Sequence, residues 1–294
     1  MKSFHFLLPL CLFCTIAFSQ SAEDINRLHA EADTLMEITK YGHNKDAGKF
    51  YDIRGIKMYC ETYGVGAPLL IIHGNGGSIN NFVKQIPFFS KRYRVIIADS
   101  RAQGQTIDNS DSLSYEMMAD DYAALLTAMH VDSAYVIGWS DGGINTLLLA
   151  IRHPEKVKKL AITGANLQPD TSAVDPWVHD MVAQQFVQIK QMKDTTIRLR
   201  TARKLFRLLC DEPHIPLSDL HSIHVPALVM GGDHDVLKVE HTMQIFQNIP
   251  QAYLWIFPNS GHSTPVIYAD EFNQKVNRFF QSPYRKISGE ARFF

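Results

Sequence analysis

From residue 68 onward the chain alternates two hydrophobic rhythms. Leu69–Ile72, Val95–Ala98, Ala134–Ile137 and Leu160–Thr163 are short, nearly unbroken apolar runs, the pattern of strands covered on both faces. Between them apolar residues recur at helical spacing. Met118, Tyr122, Leu125, Leu126 and Met129 share one face, and Ile144, Leu147, Leu148 and Ile151 share another. Such alternation predicts an α/β chain: a mostly parallel sheet with helices on both faces. Pro226–Met230 and Tyr253–Phe257 continue the strands, with Val239–Ile249 and Pro265–Phe280 as the last helices.

Upstream, Phe50–Ile53 and Ile56–Thr62 flank Arg54-Gly55 as a β-hairpin. Ile25, Leu28, Ala32 and Leu35 predict an amphipathic helix over 22–38, and Tyr41–Lys49 reads as a linker. One block breaks the rhythm. Between Asn166 and His224 lie two helical patterns, Val174–Met192 and Thr195–Cys210, and no clear strand. Inserted between two core strands, it reads as a cap over the sheet's carboxyl edge, where open α/β sheets bind ligands.

The first residues stand apart. A positive charge at Lys2, an apolar run from Phe6 to Phe18 and the small-x-small ending Ala17-Phe18-Ser19 predict a secretory signal peptide. The run is shorter than the roughly 20 residues of a membrane span, so no stable membrane anchor is expected. The expected organisation is therefore 1–19 signal peptide, 20–48 helix and linker, 49–165 first part of the core, 166–224 cap, 225–283 second part of the core, and 284–294 tail. Export would leave the mature protein, starting at Gln20, periplasmic or extracellular.

Composition narrows the classes. The 294 residues carry 29 Lys+Arg against 30 Asp+Glu, which gives no electrostatic footprint for nucleic acid. With 46% hydrophobic residues, disorder, collagen-like repeats and coiled coil are excluded. After processing only Cys60 and Cys210 remain. They read as two small buried hydrophobes, a bridge being the alternative. Neither His221 and His224 nor the Asp233-His234-Asp235 cluster has further ligands at metal-site spacing, and no dinucleotide or phosphate-cradling pattern occurs. Neither metal nor cofactor is expected.

Chemistry concentrates at strand ends. Gly138-Trp139-Ser140-Asp141-Gly142-Gly143 follows one apolar run and opens a helix, the context of a nucleophile elbow. The sharp turn forces Ser140 into a strained backbone conformation, and the flanking glycines let strand and helix approach. A serine hydroxyl needs a base, and the base needs an orienting carboxylate. In this architecture they follow in the order Ser, acid, His. His262, in Phe257-Pro258-Asn259-Ser260-Gly261-His262, is the base candidate. Asp235, in Val229-Met230-Gly231-Gly232-Asp233-His234-Asp235, is preferred as the acid because it lies further past the strand end. Asp233 is then a loop residue bonding its own backbone. The oxyanion hole needs two backbone donors. Asp141 supplies one, and Asn75 of His73-Gly74-Asn75-Gly76-Gly77 the other, with His73 bracing that loop. Trp177, Phe186 and Phe206 are candidates for the pocket wall or for helix packing.

His73-Gly74, Asp99-Ser100-Arg101 with Gly104, the elbow, Gly232-x-x-Asp235 and Gly261-His262, in that order, resemble the α/β-hydrolase superfamily over roughly residues 50–281. Ala102-Gln103 departs from the glycine usual in the superfamily's Asp-x-Arg-Gly-x-Gly pattern. The stretch Gly138–Ile144, with Gly164-Ala165-Asn166, is similar to the valacyclovir hydrolase group, which cleaves α-amino-acid esters. That resemblance implies Asp141 as the substrate-binding residue for an ammonium group, and helix capping is the alternative role. The expected function is hydrolysis of a small-molecule carboxylic ester through Ser140, His262 and Asp235, with an α-amino-acid ester as the narrower expectation. Lactonase, aminopeptidase and carbon–carbon hydrolase chemistry share the fold, and a non-catalytic binding module is the reading from another class. Oligomeric state is left open.

Overall fold

The computed structural model describes residues 22–193 and 195–293, so the expected signal peptide lies outside the described residues. Eight strands form one sheet: β1 (Gly48–Ile53), β2 (Ile56–Tyr63), β3 (Ala67–Ile72), β4 (Tyr93–Ala98), β5 (Ala134–Trp139), β6 (Val157–Thr163), β7 (Ala227–Gly232) and β8 (Ala252–Phe257). The helices are α1 (Ala22–Ile38), α2 (Ile86–Phe89), α3 (Tyr115–Ala128), α4 (Asp141–Arg152), α5 (Pro176–Gln191), α6 (Ile197–Asp211), α7 (Leu217–Leu220), α8 (Val239–Asn248), α9 (Thr264–Ile267) and α10 (Ala269–Gln281). None of the described helices is long and apolar enough to cross a membrane.

The sheet order is β1-β2-β4-β3-β5-β6-β7-β8, with β2 antiparallel to both neighbours and β4 through β8 parallel. The order reverses beside β3: the chain passes first to β4 on one side, then to β5 on the other. The loops after β3 and β5 thus diverge and leave a crevice at the carboxyl edge.

The unbroken apolar runs fill both faces, because neighbouring strand residues point to opposite sides. Leu70, Ile72, Ile96, Val136 and Leu160 join the core under α3 and α4, whereas Leu69, Ile71, Val95, Ile97 and Ile137 join the one under α2 and α10. All ten are fully buried, each contributing about 1.5–3 kcal/mol of transfer free energy.

The predicted helix over Pro265–Phe280 is broken. Tyr268, at φ −106° and ψ 37°, separates the short α9 from α10. The predicted linker also ends early, since β1 begins at Gly48 and Gly48–Lys49 already pair with Glu61 and Cys60. The rest of that linker is tied down. Fully buried Glu61 accepts from Gly42 N (2.9 Å), Asn44 N (2.8 Å), Tyr59 Oη (2.9 Å) and Tyr63 Oη (2.7 Å).

Between β6 and β7 the chain forms α5, α6 and α7. Pro176 opens α5 behind Asp175, whose carboxylate accepts from Trp177 N and Val178 N, and Thr196 caps α6 at Leu199 N. Cys60 is buried, Cys210 half-buried, and both are free thiols.

Candidate active site

Three strand ends deliver three side chains to the crevice. Ser140 ends β5 and opens α4 at φ 58°, a conformation that costs a non-glycine residue about 1–3 kcal/mol. The turn survives because its surroundings permit nothing else. A Cβ at Gly142 would lie 2.0 Å from the Ile72 carbonyl oxygen, and one at Gly138 2.2 Å from that of Gly142. Ser140 N donates to Thr163 O (2.9 Å), which ties the elbow to β6.

His262 reaches the site from the loop after β8, and Asp235 from the loop after β7. His262 Nε2 lies 2.9 Å from Ser140 Oγ, and His262 Nδ1 lies 2.7 Å from Asp235 Oδ1. The Asp235 side chain is 2% exposed and also accepts from Leu237 N (3.2 Å). An ionised carboxylate can only accept, so the proton on Nδ1 faces Asp235 and Nε2 is left to accept from the serine hydroxyl. The Trp139 indole adds a tie absent from the sequence reading: its Nε1 donates to His262 O (2.9 Å).

Asp233 bonds its own backbone and reaches further. Its carboxylate also accepts from Asn259 N and Ser260 N, both at 2.9 Å, so it holds the histidine-bearing turn as well as its own loop. Those two bonds outweigh its burial and keep its pKa below the ordinary carboxylate value.

His73 is fully buried, and burial lowers its pKa to about 4. Ser100 N donates to Nε2 (2.9 Å), so Nδ1 carries the proton and donates to Gly74 O (2.8 Å). A neutral imidazole thus links the β3 loop to the β4 loop. Asn75 and Asp141 face each other across the crevice. Among the described residues their backbone N–H groups have no protein acceptor, and Asp141 stands at the first turn of α4, where such donors are free. Asn75 also contributes its side chain, donating from Nδ2 to Asp141 Oδ2 (2.8 Å) and to Leu205 O (3.3 Å).

Asp141 is 4% exposed, and burial raises its pKa to about 6 despite hydrogen bonds from Asn75 and Tyr115. It lies with Ser140 and His262 on a cavity of about 280 Å³. Tyr115, Asn166, His179 and Glu212 add polar lining, and among the described residues no lysine or arginine lines it. The opposite wall is aliphatic: Val174, Val178, Val182, Leu209 and Leu237. Trp177, Phe186 and Phe206 do not line this cavity. Trp177, in the first turn of α5, is 72% exposed. Tyr115 and Glu212 were missed because the α3 pattern registers only from Met118, and Glu212 follows the last apolar turn of α6.

A family profile described as the alpha/beta hydrolase fold matches residues 67–205. It covers the β3 loop, the elbow and the first inserted helices, and it agrees with the sheet order above. The chain has the α/β-hydrolase fold. The hydrolase is 24% identical over 272 residues to a putative carbamate hydrolase RutD of Caulobacter sp. (strain K31), covering 80% of this chain and 97% of that protein. It is 24% identical to the human serine hydrolase BPHL, covering 78% of this chain and 84% of that one. Among solved structures it resembles Est816, described as an N-acyl homoserine lactone degrading enzyme, with a TM-score of 0.66 and 24% identity over 79% of this chain and all of that one. Relatives of this fold act on several bond types. The arrangement itself suits acyl transfer: a hydroxyl hydrogen-bonded to an imidazole, a buried carboxylate behind it, and two backbone donors opposite.

Proposed function

We propose that this hydrolase cleaves small carboxylic esters whose acyl half carries an ammonium group, α-amino-acid esters being the class that fits. Ser140 attacks the carbonyl as His262 takes its proton, and Asp235 steadies the imidazolium. The N–H groups of Asn75 and Asp141 receive the oxyanion. His262 returns the proton to the departing alcohol, then activates water to clear the acyl-enzyme.

The observation that carries the acyl preference is Asp141, a buried carboxylate next to the nucleophile in a cavity lined, among the described residues, by no lysine or arginine. An ammonium group there gains a charge-assisted bond to Asp141, and an anionic acyl chain meets that carboxylate as a like charge. Lactone, peptide and carbon–carbon substrates would use the same triad, and those with an anionic chain fit this cavity least. The signal-peptide pattern of residues 1–19 supports action in the periplasm or outside the cell.

The test is kcat/KM for two activated esters with the same acyl chain, one bearing an α-amine and one without it. The amino ester should be favoured roughly ten- to a hundredfold, and Asp141→Ala should remove that preference. Equal rates in the wild type would leave a general esterase. A serine-reactive phosphonate should label the wild type and spare Ser140→Ala. A folded wild type that resists labelling would overturn the hydrolase mechanism itself.

A further inference from the structure

One face of α6 carries Arg200, Lys204 and Arg207, a spacing that stacks three cations along a helix. All three cations bond to the loop between β4 and α3, and Arg207 Nη1 also donates to Glu212 Oε1 (3.0 Å). Arg200 Nη2 donates to Asn109 O (2.9 Å) and Asp111 Oδ1 (2.8 Å), and Arg207 Nη2 donates to Leu113 O. Lys204 sits between them, 6% exposed. It donates to Asp108 O (3.1 Å), Asp108 Oδ2 (3.3 Å) and Ser110 O (2.9 Å). An ammonium group has three protons, so all of its bonding capacity is spent on this one turn. Asp108 is 5% exposed and further held by Ser110 N, Ser110 Oγ and Arg101.

The same helix touches the site on its other side. Leu205 O accepts from Asn75 Nδ2, the nitrogen that also donates to Asp141, and Leu209 and Cys210 of α6 line the cavity. A helix moves as a rod over so short a span, so whatever fixes Lys204 fixes Leu205 one residue on and the cavity wall about one turn further.

Resting on the hydrolytic reading above, we propose that Lys204 is a positioning residue. Seated in the 108–110 turn, it sets the register of α6, and through Leu205 and Asn75 it sets the place of Asp141 and the acyl side of the cavity. An ion pair that only added stability would leave substrate selection unchanged. A positioning pair would not, because a displaced α6 withdraws the acceptor that aligns the Asn75 side chain with Asp141.

The experiment compares wild type, Lys204→Met and Lys204→Arg with the matched ester pair, and follows alkylation of Cys210 by iodoacetamide without substrate. Cys60, 1% exposed, is the internal control for unfolding. Lys204→Met should raise KM for the amino ester roughly tenfold while kcat changes less than about threefold, so that the amino-over-plain preference shrinks. Cys210 should alkylate roughly fivefold faster or more with Cys60 still protected, and Lys204→Arg should restore part of both effects. If Lys204→Met exposes Cys60 as well, the Asp108→Asn/Lys204→Met pair, which buries no lone charge, carries the same test. An unchanged preference with unchanged Cys210 reactivity in a folded variant overturns the proposal. So does an equal loss on both esters confined to kcat. The thiol readout is independent of catalysis, so absent esterase activity in the wild type would count against the function and leave the register of α6 testable.

Discussion

Acid should remove the preference for amino esters before it removes esterase activity. Burial lifts Asp141 to about 6, so a tenth of it is ionised at about pH 5 and nine-tenths at about pH 7. Only the ionised form can hold an ammonium group. Because kcat/KM reports the free enzyme, the acid limb of amino-ester preference should have its midpoint near that value. On the alkaline side the substrate amine loses its proton near pH 7.7–8.0, about the range of an α-amino group, and the preference falls again. The quantity to measure is the ratio of kcat/KM for the amino ester to that for the plain ester between about pH 4.5 and 9. Both substrates need the same triad, so effects common to the two esters cancel in the ratio. The ratio should peak near pH 7 and drop about tenfold by pH 5, and Asp141→Asn should give a low, flat line. A ratio constant from pH 5 to 7 in the wild type would refute the argument that this carboxylate selects the acyl group. Stability measurements are a poorer route to the same number. Asp141 and Asp99, both raised to about 6 by burial, favour the fold at low pH, and that contribution is lost as pH rises through about 4 to 6. His73, lowered to about 4, acts with the opposite sign. It contributes stability that is complete above about 6.5 and lost as pH falls toward 4, so the effects overlap and offset.

Replacing Asp235 by Asn keeps the shape but lets Nε2 carry the proton, and kcat should fall roughly 10³- to 10⁴-fold with KM little changed, as steady-state kinetics would show. Ser140→Gly removes the nucleophile and the cost of φ 58° together. It should be inactive yet at least as stable as the wild type, by up to about 1 kcal/mol in urea denaturation; a clear loss of stability would mean that the elbow is unstrained. Glu61→Leu leaves the Gly42 and Asn44 backbone donors and the Tyr63 hydroxyl without that acceptor, while Tyr59 Oη keeps Asn44 O (3.4 Å). It should cost about 3–5 kcal/mol and open residues 40–47 to limited proteolysis; retained protease resistance would show that something else holds the linker.

The sheet was legible because its strands are buried on both faces. Leu69–Ile72 and Leu160–Ile162 leave no polar position for a second reading, and every run of this kind became a strand. The departure at Ala102 is instructive in another way. The superfamily's usual glycine is absent, yet Ala102 still adopts φ 63°, so the loop keeps its left-handed turn and the methyl group takes the strain. The α9–α10 break was not legible. Its break residue, Tyr268, is compatible with a helix, and the short α9 is tied to a remote partner, Gln85 at the start of α2, whose Nε2 donates to Pro265 O (2.7 Å).

The contrast between α4 and α6 shows where sequence patterns stop carrying function. In α4 the glycines, the serine and the apolar face lie within one contiguous stretch, so local reading reaches the chemistry. In α6 the informative partners are 89 to 130 residues away: Arg200 with Asp111, Lys204 with Asp108, Leu205 with Asn75. A lysine on a polar helical face is solvated in most proteins, and burial reverses its meaning only when a turn elsewhere presents two carbonyls and a carboxylate at the right spacing. The elbow predicts how the bond breaks, and those remote pairings decide which acyl group is held while it does. Substrate range in this hydrolase should therefore respond to changes at Asp108 and Lys204, neither of which touches the substrate, as well as to changes at Asp141.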